Sequence, residues 1–159
     1  MDLVAVVRWL HILGAAVLFG TGMGIAFFMV MAHRTGKPAL VAHVAGTVVV
    51  ADFLFTATAV ILQPVTGLWL AHVVGWQLTE GWMLLSLTLY FFAGLFWMPV
   101  VWIQMRLRDL AQAAAAAGEP LPAGYHRLYH VWFVSGFPAF VAVLAIYWLM
   151  LTKPAIRLF

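Results

Sequence analysis

Residues 3–32 read LVAVVRWLHILGAAVLFGTGMGIAFFMVMA, and Arg8 is the one formal charge in the run. About 20 predominantly apolar residues suffice to cross a bilayer as a helix, so this stretch decides the fold class. It is too long for the apolar core of a signal peptide and lacks a convincing small-residue cleavage site, so it reads as a retained span. Three further runs have the same character, near 39–63, 80–105 and 127–151. The 159-residue chain is 66% hydrophobic and 8% charged, with a mean hydropathy of +1.06. A soluble domain is nearer half apolar and about a quarter charged. Such a chain cannot cover its own surface with polar groups. The expected fold is all-α, an integral membrane four-helix bundle, with residues 1–159 as one transmembrane domain.

The connectors follow from helix stop signals. "HRTGKP" (33–38) is a short turn with Gly36 and Pro38. Pro64 and Gly67 in "QPVTGLW" are expected to end the second span, leaving residues 64–79 as a connector with a short interfacial helix around "LWLAHVVGW". The alanine run after "RLRDL" should carry the third helix out of the membrane until Gly118 and Pro120 stop it. Arg34, Lys37, Arg106, Arg108 and Arg127 fall in the first and third loops, against Arg8, Lys153 and Arg157 on the other side. The positive-inside rule then places those two loops in the cytoplasm and both termini outside, in a bacterial inner membrane.

The absence of cysteine excludes disulfides, thiolate clusters and cysteine nucleophiles. A net charge of +3, scattered at span ends, gives no nucleic-acid surface. Functional candidates are therefore the ionisable residues inside the spans, which are costly there unless paired or hydrated. Arg8 is shallow and can snorkel. His11 lies about 12 Å along the first helix, too deep for its short side chain to reach headgroups. It is either hydrogen-bonded to another helix or an axial ligand to a haem iron. Its face carries Ala15, Leu18, Gly22 and Met29, and small residues there admit something flat. "GTGMG" (20–24) lacks the preceding strand of a nucleotide loop and reads as helix packing.

Asp52, near the middle of the second span, must be protonated or paired, with Trp102 or Gln104 as donor; a proton relay is the functional alternative. His72 is the geometric candidate for a second axial position in the outer leaflet. His43 and His130 lie a turn deep at adjacent inner-leaflet helix starts and could share a cofactor. His33 and His126 read as interfacial residues. Eight Trp, twelve Phe and four Tyr belong mainly to interface belts and lipid-facing surfaces.

At "LHILGAAVLFGTGMGIAFF" (10–28), "ADFLFT" (51–56), "LQPVTGLWL" (62–70), "LFWMPVVWIQMRLR" (95–108) and "GFPAFVAVLAIYWLMLTKP" (136–154) the chain resembles the bacterial four-span family DUF2269. More distantly it is similar to CopD-like membrane proteins and to HemJ-type protoporphyrinogen oxidases, through "LHI", "TGLWL" and the terminal "KP". In the latter group a first-span histidine is associated with haem or porphyrin, which by resemblance points to His11. No lysine lies in the apolar centre of any span, a departure that speaks against porphyrinogen oxidation itself.

Three functions are consistent with these residues. The first is a haem b- or porphyrin-binding protein, a candidate haem-dependent membrane oxidoreductase, exchanging electrons with membrane quinone or a redox partner protein. The second is a non-catalytic membrane subunit or assembly factor that docks a partner complex. The third is small-ion or copper transport, for which Met23, Met29 and Met31 are a weak pointer. Exposed glycine and alanine faces suggest a homodimer embedded in membrane lipid.

Overall fold

A computed structural model of the chain describes residues 2–156. Four helices long and apolar enough to cross a membrane fill it: α1 (Leu3–Arg34), α2 (Pro38–Val74), α3 (Gly81–Ala117) and α4 (Ala123–Thr152). Arg157, part of the outer charge count, lies outside the described residues. The Asp2 side chain caps α1 by accepting from the Val4 N–H at 3.1 Å, and Pro38 supplies a pre-set φ at the start of α2. Gly118 ends α3 in the left-handed region (φ 67°), where the alanine run was expected to stop.

Packing is uneven along the bundle. Toward the end that carries the α1–α2 and α3–α4 loops, all four helices share one core. Ile25 and Met29 meet Val41 and Ala45, then Leu107 and Ala111, then Tyr125 and Trp132. Ala45 and Ala111 are fully buried; small residues at a crossing let backbones approach where lipid supplies no hydrophobic drive between helices. At the opposite end α1 packs against the second half of α2 and α3 packs against α4. A smaller core of Ala71, Trp82, Met83 and Leu149 closes that end. There Lys153, the one non-glycine residue with positive φ among those described (φ 40°), holds its ammonium 4.2 Å from the Trp76 ring centre.

The second span differs from expectation. Helix α2 does not stop near 63. It runs through Pro64 to Val74 and ends at Gly75 (φ 86°), absorbing the stretch expected to be a separate interfacial helix. The physical reason lies on α3. Proline cannot donate to the carbonyl four residues earlier, which is that of Val60. The Tyr90 hydroxyl donates to that carbonyl instead. Proline is tolerated inside transmembrane helices when a neighbour satisfies the freed group in this way. A second irregularity precedes it: Asp52–Thr56 form a π turn, in which the Ala57 N–H reaches back to the Asp52 carbonyl.

Helix packing at "GTGMG" is not found within the chain. A Cβ at Gly20, Gly22 or Gly24 would meet nothing within 4 Å, so these glycines face outward.

Tyr90→Phe should destabilise the bundle by about 1–3 kcal/mol, the cost of leaving a buried carbonyl without a partner. In a Pro64→Ala background the restored N–H serves Val60, and the same substitution should cost well under about 1 kcal/mol. Melting of the four proteins in one detergent measures the coupling; equal losses in both backgrounds would contradict this account.

Candidate functional site

The quoted stretches "LHILG" and "LQPVTGLWL" meet across the α1–α2 interface. The Thr66 hydroxyl donates to the Leu62 carbonyl at 2.6 Å. Its oxygen is therefore the acceptor in the 2.8 Å contact with His11 Nδ1, which fixes the tautomer with the proton on Nδ1. Among the described residues Nε2 has no hydrogen-bond partner, and it is not sealed inside the protein. One turn earlier on α2, Gln63 Nε2–H donates to the His11 carbonyl at 2.9 Å. Two glycines make the approach possible. A Cβ on Gly67 would sit 3.1 Å from His11 Cε1, and one on Gly14 would sit 2.5 Å from Gln63 Nε2.

A second polar layer lies at the π turn. Asp52 is 3% exposed, Thr56 6% and Gln104 1%. Trp97 Nε1–H donates to Asp52 Oδ1 at 3.3 Å. The Gln104 amide satisfies both its neighbours when Nε2–H donates to Asp52 Oδ2 (2.9 Å) and Oε1 accepts from Trp132 Nε1–H (3.2 Å). The layer thus joins α2, α3 and α4. Of the two donors expected for Asp52, Gln104 is found. Trp102 is not: it is 55% exposed, on the outer face of α3, and Trp97 takes its place.

The other histidines are not brought to His11. His72 is exposed near the end of α2, and no hydrogen bond or ring contact joins it to His11 among the described residues. His43 lines an open hollow of about 520 Å³ between α2 and α3, beside Thr47, Arg108 and Gln112. His130 is exposed on α4 and does not line the hollow at His43, so the two do not share a site. The histidines that do engage at that end are His33 and His126. The His33 ring stacks on Tyr129 with centres 3.6 Å apart and contacts the Tyr125 hydroxyl at 3.3 Å, and His126 meets it edge-on.

For a haem, these residues fit one axial position and not two. His11 supplies an oriented ring with Nε2 unbonded and Nδ1 held by a hydroxyl behind it, the arrangement that raises ligand basicity and fixes ring orientation. His72, His43 and His130 do not face that nitrogen. Among the described residues no three His, Cys, Asp or Glu side chains converge on a metal-sized point.

Sequence reading had missed Thr66, Trp97, Trp132 and Tyr90. The available signal was a seven-residue spacing, Tyr90–Trp97–Gln104, which keeps three hydrogen-bonding side chains on one face of α3. All three bond to α2.

The chain belongs to the family DUF2269, described as a predicted integral membrane protein, which matches residues 5–154. No curated protein and no solved structure matches it. The chain is thus a multi-pass integral membrane protein with an all-α, four-span fold.

Gly67→Ala should push the His11 ring off Thr66 and cost about 1–3 kcal/mol through overpacking. Gly14→Ala meets only the mobile end of Gln63 and should cost about 1 kcal/mol, one hydrogen bond. Thermal melts rank the two variants, and His11 side-chain NMR shifts should move strongly in the first and little in the second.

Proposed function

We propose that the chain is a haem- or porphyrin-binding protein that presents His11 Nε2 as its axial ligand to a haem b iron, in a bacterial inner membrane with both termini outside. The observation that supports this reading is the Thr66 bond to Nδ1–H. It orients the imidazole and leaves the other nitrogen free of hydrogen bonds among the described residues. When bound, a haem supplies one-electron chemistry, with quinone in the surrounding lipid or a redox partner protein as the exchange partner.

The protein's own share is positional. Thr66 holds the tautomer, Gln63 ties α2 to the backbone beside the ligand, and Gly67 leaves room for the ring. With His72, His43 and His130 turned elsewhere, this chain offers a single protein ligand. Gly20 and Gly24, one turn apart with nothing within 4 Å of a Cβ at either, are where a second copy would pack in a homodimer. The orientation rests on Arg34, Lys37, Arg106, Arg108 and Arg127 at one end against Arg8 and Lys153 at the other.

One set of contacts favours the second reading, a non-catalytic membrane subunit that docks a partner complex. Gln63, Tyr90, Asp52, Gln104 and His11 Nδ1 are all committed to bonds between helices. An absorption spectrum separates the two. Protein extracted from haem-replete cells should show a Soret band that His11→Ala abolishes and that His72→Ala, His43→Ala and His130→Ala leave intact. Thr66→Val should weaken haem retention about 10–100-fold, as loss of a ligand's hydrogen-bond partner does. A colourless wild-type preparation would overturn the haem reading and leave the docking subunit.

A further inference from the structure

The π turn holds a polar group that no bond within the bundle uses. The Thr56 hydroxyl is buried without a hydrogen-bond partner, the sole such side-chain atom among the described residues. It faces the Asp52 carboxyl four residues earlier without closing a bond of proper geometry. Buried polar groups are nearly always paired, so an unbonded hydroxyl facing a carboxyl in mid-membrane marks a contact that a small participant, a proton or an ion, can close. The participant must be small, because Asp52 and Thr56 are nearly inaccessible. A divalent metal is poorly served there: among the described residues no three His, Cys, Asp or Glu side chains converge on one point.

We infer that Asp52 and Thr56 form a reversible proton-binding site at the π turn, which stands whether or not His11 carries a ligand. The surroundings suit both charge states. Trp97 and Gln104 each donate one N–H, to Oδ1 and Oδ2 respectively. Those bonds persist on protonation, because each carboxyl oxygen has two lone pairs. The Thr56 hydroxyl adapts to the remaining difference. It donates to the carboxylate when the proton is absent, and accepts from the acid O–H when the proton is present. The same side chain therefore completes the shell in either state without moving a helix.

The groups that face the carboxyl are Thr56 from α2 and Trp97 and Gln104 from α3, none of which titrates in the working range; Trp132 of α4 reaches it only through Gln104. Helix α1 carries its ionisable groups, Arg8, His11, His33 and Arg34, toward its ends. No cation is paired with Asp52 among the described residues, where the single ion pair is Arg108 with Asp109. A proton is then the natural counter-charge for this acid.

The test is labelling of the full chain in nanodiscs with dicyclohexylcarbodiimide, a hydrophobic reagent that reacts with the acid form of membrane carboxyls. Mass spectrometry should place an N-acylurea on Asp52, with labelling that falls about tenfold per pH unit once the acid form is depleted. Asp52→Asn should remove it. Infrared difference spectra should show a protonated-carboxyl band that shifts in Thr56→Val and returns in Thr56→Ser, a readout that a purely packing role for Thr56 would not move. This second measurement keeps Asp52 in place and so remains decisive if Asp52→Asn fails to fold. Absence of labelling at every pH, together with no pH-dependent carboxyl band, would overturn the proposal. So would protection by sodium at constant pH, which would assign the site to a metal cation. A Soret band, present or absent, bears on His11 alone.

Discussion

The carbonyl of Val60 is the atom on which the arrangement of α2 depends. Pro64 leaves it without its helical donor, and in hydrocarbon there is no water to replace that donor. An orphan carbonyl there costs several kcal/mol, enough to bend or end the helix. Tyr90 reaches across from α3 and supplies the missing O–H. Because α2 continues, Gln63, Thr66 and Gly67 come to face α1 at His11. Had the helix stopped near 63, Thr66 would lie in a connector and the imidazole would have no fixed tautomer. One tyrosine on a third helix thus sets the chemistry of a histidine on the first.

Polar bonds of this kind are modest in strength between membrane helices, about 0.6–2 kcal/mol each. Their value is directional. With lipid on the outside as apolar as the side chains within, burial does little to choose how a helix is rotated. The two layers in this bundle make that choice. His11, Gln63 and Thr66 fix α1 against the second half of α2, and Asp52, Trp97, Gln104 and Trp132 fix α2, α3 and α4 together. The small residues Ala45 and Ala111 then allow close contact at the loop end, where the aromatic and aliphatic core forms.

The four spans were legible because composition alone demands them, and the end of α3 was legible because Gly118 is a local stop signal. What escaped was rotation and long-range rescue. Trp97 and Trp102 are five residues apart, so at about 100° per residue they point to different sides of α3. In a soluble helix hydrophobic periodicity would say which side faces inward; here both sides are apolar. The same ambiguity brought His43 and His130 together on paper, whereas their faces diverge. Pro64 reads as a terminator because its rescue comes from Tyr90, which local sequence around the proline does not reveal. Gln104 was found because few donors lie at the depth of Asp52. His11 was singled out correctly as a polar group needing a partner, while that partner, Thr66, looks like an ordinary helix residue.

The stripe Tyr90–Trp97–Gln104 also explains why the two irregularities of α2 sit where they do. Seven residues span about 10.5 Å of α3, and the eight from Asp52 to Val60 span about 12 Å of α2. Each tooth of the stripe therefore meets an interruption: Tyr90 the carbonyl freed by Pro64, Trp97 and Gln104 the carboxyl that opens the π turn. Moving Pro64 by one position would rotate its freed carbonyl by about 100° and turn it away from Tyr90. Inserting a residue between Asp52 and Val60 would rotate one interruption relative to the other, so that α3 could satisfy only one. The spacing of a proline and an aspartate on one helix is thus set by a heptad on its neighbour. An α3 that stays continuous through its own Pro99 is what permits an irregular α2 to hold functional groups at two depths.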